Sequence, residues 1–280
     1  MSNVISGILD GSKGRPMPVS MHLPEVDNPP VVILVHGFKG FMDWGHFPLV
    51  GETFAKAGFA LLRFNFSHNG TTPGQPSDFV DLDAFAENNL IKELDDLQTV
   101  INSLKEQRLF RDSKLDLENI FLIGHSRGGG IALISGAEDS RIKGLATWAS
   151  VNQYDRKGYP LDLWQEKGKI YIPNSRTGQQ LPMNWQFVES LQANIGRLNI
   201  RTQCAKIVVP TLIIHGTKDP TVPYSEAREL VDWNEKFELY TIPDADHSFG
   251  GRHPMIGASL SNHMMMVMQR TIEHFESILK

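Results

Sequence analysis

The sequence predicts an α/β protein built on one mostly parallel sheet with helices on both faces. Three observations carry that expectation. Short apolar runs alternate with segments whose apolar residues keep a helical spacing. The runs Val31-Val32-Ile33-Leu34-Val35 and Ile120-Phe121-Leu122-Ile123 are apolar without interruption, as strands buried on both faces require. The second run leads into Gly124-His125-Ser126-Arg127-Gly128 and then Gly129-Gly130-Ile131-Ala132-Leu133-Ile134, small residues around a sharp strand-to-helix turn followed by a helix former.

In chain order, residues 3–23 read as a hairpin whose arms are Val4–Leu9 and Val19–Leu23, joined by a turn rich in Gly, Lys and Asp. Pro29-Pro30 punctuate before the strand 31–35. After the loop 36–45, a helix over 47–57 ends at Gly58, a residue free to take the left-handed conformation that closes helices. Residues 59–64 form the next strand, and 65–76 a long Pro/Gly-rich loop. From Asp83 to Arg108, Leu90, Leu94, Leu97, Ile101 and Leu104 recur at steps of four and three, predicting one long helix with a single core-facing stripe. A helix to about 138 follows the serine turn, and 142–149 is another strand.

The rhythm breaks over residues 150–205, where aromatic and polar residues mix; a connection of that length carries structure of its own, and a lid over a binding site is the expectation. Strands at 211–214 and 237–242 flank a helix over 225–233. A terminal helix runs from about 259, with Met264-Met265-Met266 expected in the core. The whole chain, 1–280, reads as one domain containing the 150–205 insertion.

The net charge of −5 without a basic block argues against a nucleic-acid partner. One cysteine, Cys204, excludes an intrachain disulfide and a thiolate zinc site, and the scattered His and Asp lack metal-ligand spacing. Gly128-Gly129-Gly130 is no dinucleotide fingerprint, because G-x-G-x-x-G is missing. Met1–Gly7 has neither the basic start nor the apolar centre of a signal peptide, and no apolar run is long enough to cross a bilayer; a cytoplasmic protein without membrane association is the expectation. Oligomeric state is left open, a dimer included.

A serine hydroxyl needs a base to become nucleophilic and a carboxylate to orient that base. Ser126, raised on its turn, is the candidate nucleophile. Asp219 follows the strand 211–214 in His215-Gly216-Thr217-Lys218-Asp219, and His247 follows the strand 237–242, so both hang from the sheet edge where ligands bind in such folds. Asp244 and Asp246 compete with Asp219 for the orienting role, although adjacency in sequence to His247 is a poor guide. The backbone N–H of Arg127, next to the serine, and that of Phe38, in the loop His36-Gly37-Phe38-Lys39-Gly40, are the candidate oxyanion donors. Trp148, Trp164 and Trp185 are candidate substrate contacts; the aromatic residues of 150–205 equally suit a small hydrophobic cluster of their own.

With these residues in hand, the chain resembles the α/β-hydrolase superfamily over nearly its whole length. His36-Gly37-Phe38, Arg63-Phe64-Asn65-Phe66-Ser67, Gly124-His125-Ser126-Arg127-Gly128-Gly129, His215-Gly216-Thr217-Lys218-Asp219 and Asp246-His247 are similar to blocks of serine esterases related to feruloyl and cinnamoyl esterases and to dienelactone-hydrolase-like proteins. The chain departs from true dienelactone hydrolases in having Ser126 for their cysteine, and Ser67-His68-Asn69-Gly70 departs from the commoner Gly-His-Gly-x-Ser form. The resemblance implies the α/β-hydrolase fold with an eight-stranded, mostly parallel sheet and a lid after the sixth strand. It also implies cofactor-free hydrolysis of a small or aryl carboxylic ester through an acyl-enzyme. A serine peptidase or an acyltransferase would use the same residues, and a non-catalytic binding protein on this fold is a further alternative.

Overall fold

Alternate residues of the central strands bury two separate layers of side chains, and this sets the architecture. Val31, Ile33 and Val35 face one apolar cluster while Val32 and Leu34 face another, all of them essentially inaccessible. The computed structural model describes residues 3–106, 113–155, 158–255, 257 and 259–280.

The chain begins with β1 (Asn3–Asp10) and β2 (Pro16–Leu23), then β3 (Pro30–Val35), α1 (Phe47–Lys56) and β4 (Ala60–Phe64). Next come α2 (Leu82–Ala86), α3 (Leu90–Glu106), β5 (Asp116–His125), α4 (Arg127–Glu138) and β6 (Ile142–Trp148). The long insertion holds α5 (Leu161–Lys167), β7 (Lys169–Pro173), β8 (Gln180–Asn184), α6 (Gln186–Ala193), α7 (Ile195–Leu198) and α8 (Ile200–Cys204). The chain closes with β9 (Thr211–Gly216), α9 (Tyr224–Asp232), β10 (Phe237–Ile242) and α10 (Asn262–Ile278).

The main sheet has eight strands in the order β1-β2-β4-β3-β5-β6-β9-β10. The pairs β1–β2 and β2–β4 are antiparallel, and every pair from β4 to β10 is parallel. Residues of α3, α4, α8 and α9 share the cluster on one face; those of α1 and α10 share the cluster on the other. All six parallel strands therefore end on one edge, and the loops leaving β3, β5, β9 and β10 meet there.

Two sequence expectations need correction. The helix expected from 83 to 108 is two helices: the Asp81 carboxylate accepts from Ala84 N at the start of α2, and the Asn89 side chain accepts from Lys92 N at the start of α3. Capping by these residues opens a new helix where apolar spacing alone suggested continuation. Residues 107 and 108 lie outside the described residues. Of the methionines expected in the core, Met264 is buried, but Met265 and Met266 are exposed, because consecutive helical residues point about 100° apart.

The insertion lies between β6 and β9, which are neighbours in the sheet. Its β7–β8 hairpin is antiparallel, and Trp164, Leu181, Met183 and Val188 pack with Phe41, Phe79 and Phe85 into a third apolar cluster. That cluster fastens the insertion to the 76–89 segment, aided by Gln179 Nε2 on Phe79 O (2.8 Å) and Asn89 Nδ2 on Gln186 Oε1 (2.8 Å).

Candidate active site

β5 ends at His125 and α4 starts at Arg127, so the whole reversal falls on Ser126, which takes φ 55° and ψ −123°. A non-glycine residue in that region is held there by its surroundings. Here Ser126 N donates to Trp148 O and Gly129 N donates back to Ser126 O, both at 2.9 Å. Glycine at 128 lets α4 start against the Val35 and His36 carbonyls, where a Cβ would collide with backbone. Glycine at 37 likewise lets the β3 exit loop pass Ser126: a Cβ there would stand 2.9 Å from Ser126 Cβ and 3.4 Å from its Oγ.

The loops after β9 and β10 bring Asp219 and His247 to this serine. His247 Nε2 lies 3.0 Å from Ser126 Oγ, and His247 Nδ1 lies 2.7 Å from Asp219 Oδ2. A carboxylate on Nδ1 keeps the proton there, leaving Nε2 of the neutral ring to accept from the hydroxyl. Asp219 Oδ1 accepts from Thr221 N and Val222 N at 2.8 and 2.9 Å, and Oδ2 also lies 3.3 Å from His215 Nε2. Burial pushes the Asp219 carboxyl up, yet the hydrogen bonds from His215, His247 and Val222 outweigh it, so the group sits far below the usual carboxylate range.

The competing carboxylates are engaged elsewhere. Asp244 pairs with Lys218 at 2.8 Å, and Asp246 Oδ1 accepts from Ser248 N and Gly250 N within its own turn.

Arg127 N directly follows Ser126, Phe38 N follows Gly37, which packs against Ser126, and neither N–H donates in a turn or loop hydrogen bond among the described residues. His36 fixes the Phe38 loop: Nδ1 donates to Gly37 O (2.9 Å) and Nε2 accepts from Phe66 N (3.3 Å), while burial lowers its pKa to about 4 and keeps it neutral. The Arg127 side chain pairs with buried Glu93 and lies over the Phe38 ring, 4.3 Å from its centroid.

Ser126 opens into a cleft of about 1080 Å³, lined among others by Phe38, Trp44, Tyr159 and Phe187. The three tryptophans expected to contact substrate do not line it. Trp148 is fully buried beneath the sheet edge and donates from Nε1 to Thr271 Oγ1 (3.1 Å). Trp164 is the buried centre of the third cluster, its Nε1 on Met183 O (2.9 Å), and Trp185 packs against it at 6.0 Å between ring centroids. Trp44, in the irregular loop after β3, is the tryptophan on the cleft wall.

Sequence reasoning assigned no role to His215 or His125, although both stand inside quoted motifs. His125 Nε2 donates to His247 O at 3.0 Å; burial, then the neighbouring His247, lower its pKa to about 3. His125 ends β5 directly before Ser126, and His215 is the penultimate residue of β9, four residues before Asp219; those positions are the available signal.

Residues 32–255 match the alpha/beta hydrolase family. The chain belongs to that family. This alpha/beta hydrolase is 28% identical over 256 residues to an uncharacterised 31.7 kDa protein of Escherichia coli from the traX-finO intergenic region, covering 78% of this chain and 83% of that protein. It is 30% identical over 151 residues to the serine hydrolase BPHL of Mus musculus, covering 48% of this chain and 50% of that one. Among solved structures, Est1E from Butyrivibrio proteoclasticus with ferulic acid bound superposes at a TM-score of 0.72 with 20% identity, over 96% of this chain and 98% of that chain. At that identity the likeness is one of fold. Among the described residues of the hydrolase no helix is long and apolar enough to cross a membrane, and no group of three or more His, Cys, Asp or Glu is arranged to hold a metal ion.

Proposed function

We propose that this hydrolase is a serine carboxylesterase that cleaves aryl esters through an acyl-enzyme. The observation that carries the reading is the unbroken line Ser126 Oγ, His247 Nε2, His247 Nδ1, Asp219 Oδ2, with contacts of 3.0 and 2.7 Å. His247 Nε2 takes the hydroxyl proton as Oγ attacks the ester carbonyl carbon. The resulting oxyanion is held by Phe38 N–H and Arg127 N–H. The C–O bond to the alcohol breaks, and His247 returns its proton to the departing oxygen. Water then attacks the acyl-serine with the same base, releasing the acid and restoring Oγ–H.

The aromatic walls favour a flat acyl or alcohol group: Phe38, Trp44, Tyr159 and Phe187 all border the cleft. Residues 150–205 act in this reading as the lid, contributing Ile172, Met183 and Phe187 to the substrate chamber. No cofactor enters either half-reaction.

The test is hydrolysis of p-nitrophenyl acetate and butyrate by the wild type and Ser126→Ala. Turnover by the wild type with loss to background in the variant supports the reading; equal rates overturn it.

A further inference from the structure

We propose that the cleft selects esters bearing a carboxylate or similar oxyanion at the end remote from the scissile bond, received by Lys39, Asn174 and Arg176. The proposal rests on the esterase reading of Ser126 and names its substrate class.

All three residues line the same cleft as Ser126. Lys39 Nζ donates to Pro173 O at 3.3 Å, which uses one of its three N–H groups. Asn174 is 5% exposed; its Oδ1 accepts from Arg176 N, but its Nδ2 has no hydrogen-bond partner among the described residues. The Arg176 guanidinium is held loosely, 3.4 Å from Ser77 O, 3.9 Å from an Asp78 carboxylate that is mostly in solvent, and 5.6 Å from the Phe41 ring centroid. His253 adds a fourth donor: its Nδ1 accepts from Gly45 N at 3.0 Å, so the neutral ring carries its proton on Nε2.

An unpartnered buried amide and a half-buried, weakly paired guanidinium are each costly. A ligand oxyanion on the cleft wall offers the Arg176 guanidinium and the Lys39 ammonium charge-assisted bonds, which a neutral group does not match, and a small turn of the Asn174 side chain adds its unpartnered amide. The other charges on the cleft leave this balance standing. Arg127 is neutralised by Glu93, Arg252 adds a further cation, and Asp246 directs one oxygen to its own turn.

Position gives the group its place on the substrate. Lys39 directly follows Phe38, an amide donor in the proposed oxyanion hole, and takes the left-handed φ of 58° that bulky residues rarely adopt. Asn174 and Arg176 sit on the turn between β7 and β8. The charged wall therefore begins at the residue after Phe38 and continues onto the β7–β8 turn, which Lys39 reaches through Pro173 O, and in this proposal it receives the far end of an ester held in the cleft.

The experiment compares kcat/KM for matched pairs. p-Nitrophenyl hemiglutarate against p-nitrophenyl pentanoate places the charge on the acyl side; 4-carboxyphenyl butyrate against phenyl butyrate places it on the alcohol side. 4-Phosphonophenyl butyrate distinguishes a phosphate-like group from a carboxylate. The wild type is expected to prefer the anionic member of at least one pair by about tenfold or more, a preference that falls in about 0.5 M salt. Arg176→Gln and Lys39→Gln are each expected to reduce that ratio about tenfold, with Arg176→Lys recovering part of it. A role confined to holding the lid would lower both members of a pair together. Hydrolysis with no anionic preference, or a preference that neither salt nor either substitution alters, overturns this proposal alone. Absence of hydrolysis above the Ser126→Ala background overturns the esterase reading and this proposal with it.

Discussion

His215 Nε2 lies 3.3 Å from Asp219 Oδ2, so the oxygen that meets His247 Nδ1 is also held from behind by a fully buried imidazole. The same Nε2 is 2.9 Å from Val222 O, which makes it a donor shared between carbonyl and carboxylate. Replacing Asp219 by Asn should reduce kcat by about 10⁴, because the amide no longer enforces the tautomer of His247. His215→Gln should cost less, about ten- to hundredfold, with the loss in kcat rather than KM. Steady-state kinetics on p-nitrophenyl butyrate check both. A His215 variant altered only in KM would exclude a positioning role.

Gly37 bounds the β3 exit loop, which carries the proposed oxyanion donor Phe38 N–H, on the side of Ser126. Because its Cβ would stand 2.9 Å from Ser126 Cβ, Gly37→Ala must push the loop, and Phe38 N–H with it, away from the reacting carbonyl. A fall in kcat of about 10²–10³ with an unchanged circular-dichroism spectrum is expected. Wild-type kcat would show that the loop has slack at this point.

Trp44 and Trp164 should separate binding from stability. Trp164, 1% exposed and bonded to Met183 O, anchors the third cluster, so Trp164→Ala should cost about 3–5 kcal/mol in chemical denaturation. Trp44→Ala should raise KM for aryl esters about three- to tenfold, the loss of one aromatic contact. Reversed outcomes would place the substrate against the wrong wall.

Asp96 gives a pH dependence of stability distinct from the reaction. Burial pushes its carboxyl up to about 6, against the opposing bonds from Ser12 N, Ser67 N and Ser67 Oγ. The folded chain therefore keeps this proton at pH values where the unfolded chain, titrating near 4, has lost it. Its contribution is most favourable below about pH 4 and declines by on the order of 3 kcal/mol as pH rises through 6. Asp96→Asn lacks that dependence. Urea denaturation should show the stability of the wild type relative to Asp96→Asn falling between pH 4 and pH 7; a constant or rising difference would contradict the assignment.

What could be read from the sequence was what local pattern determines. Ser126 is marked by the glycines that its close packing demands, and Asp219 and His247 by following apolar runs that must end on one sheet edge. The direction of an aromatic ring is set by packing that no pattern announces. Trp148 ends a strand with its ring on the α10 face, while Trp44 reaches the cleft from a loop without periodicity. The break between α2 and α3 was hidden for a related reason: the leucine stripe runs through α3, but the caps at Asp81 and Asn89 decide where each helix begins. Lys39, Asn174 and Arg176 line one cleft because the β7–β8 turn folds back toward the β3 exit loop.

The most direct measurement is intact-protein mass after reaction with a fluorophosphonate, followed by peptide mapping. The account predicts a single adduct on Ser126, absent in Ser126→Ala and strongly slowed in His247→Ala. Undiminished labelling of Ser126→Ala, or an adduct mapped to another residue, would contradict it.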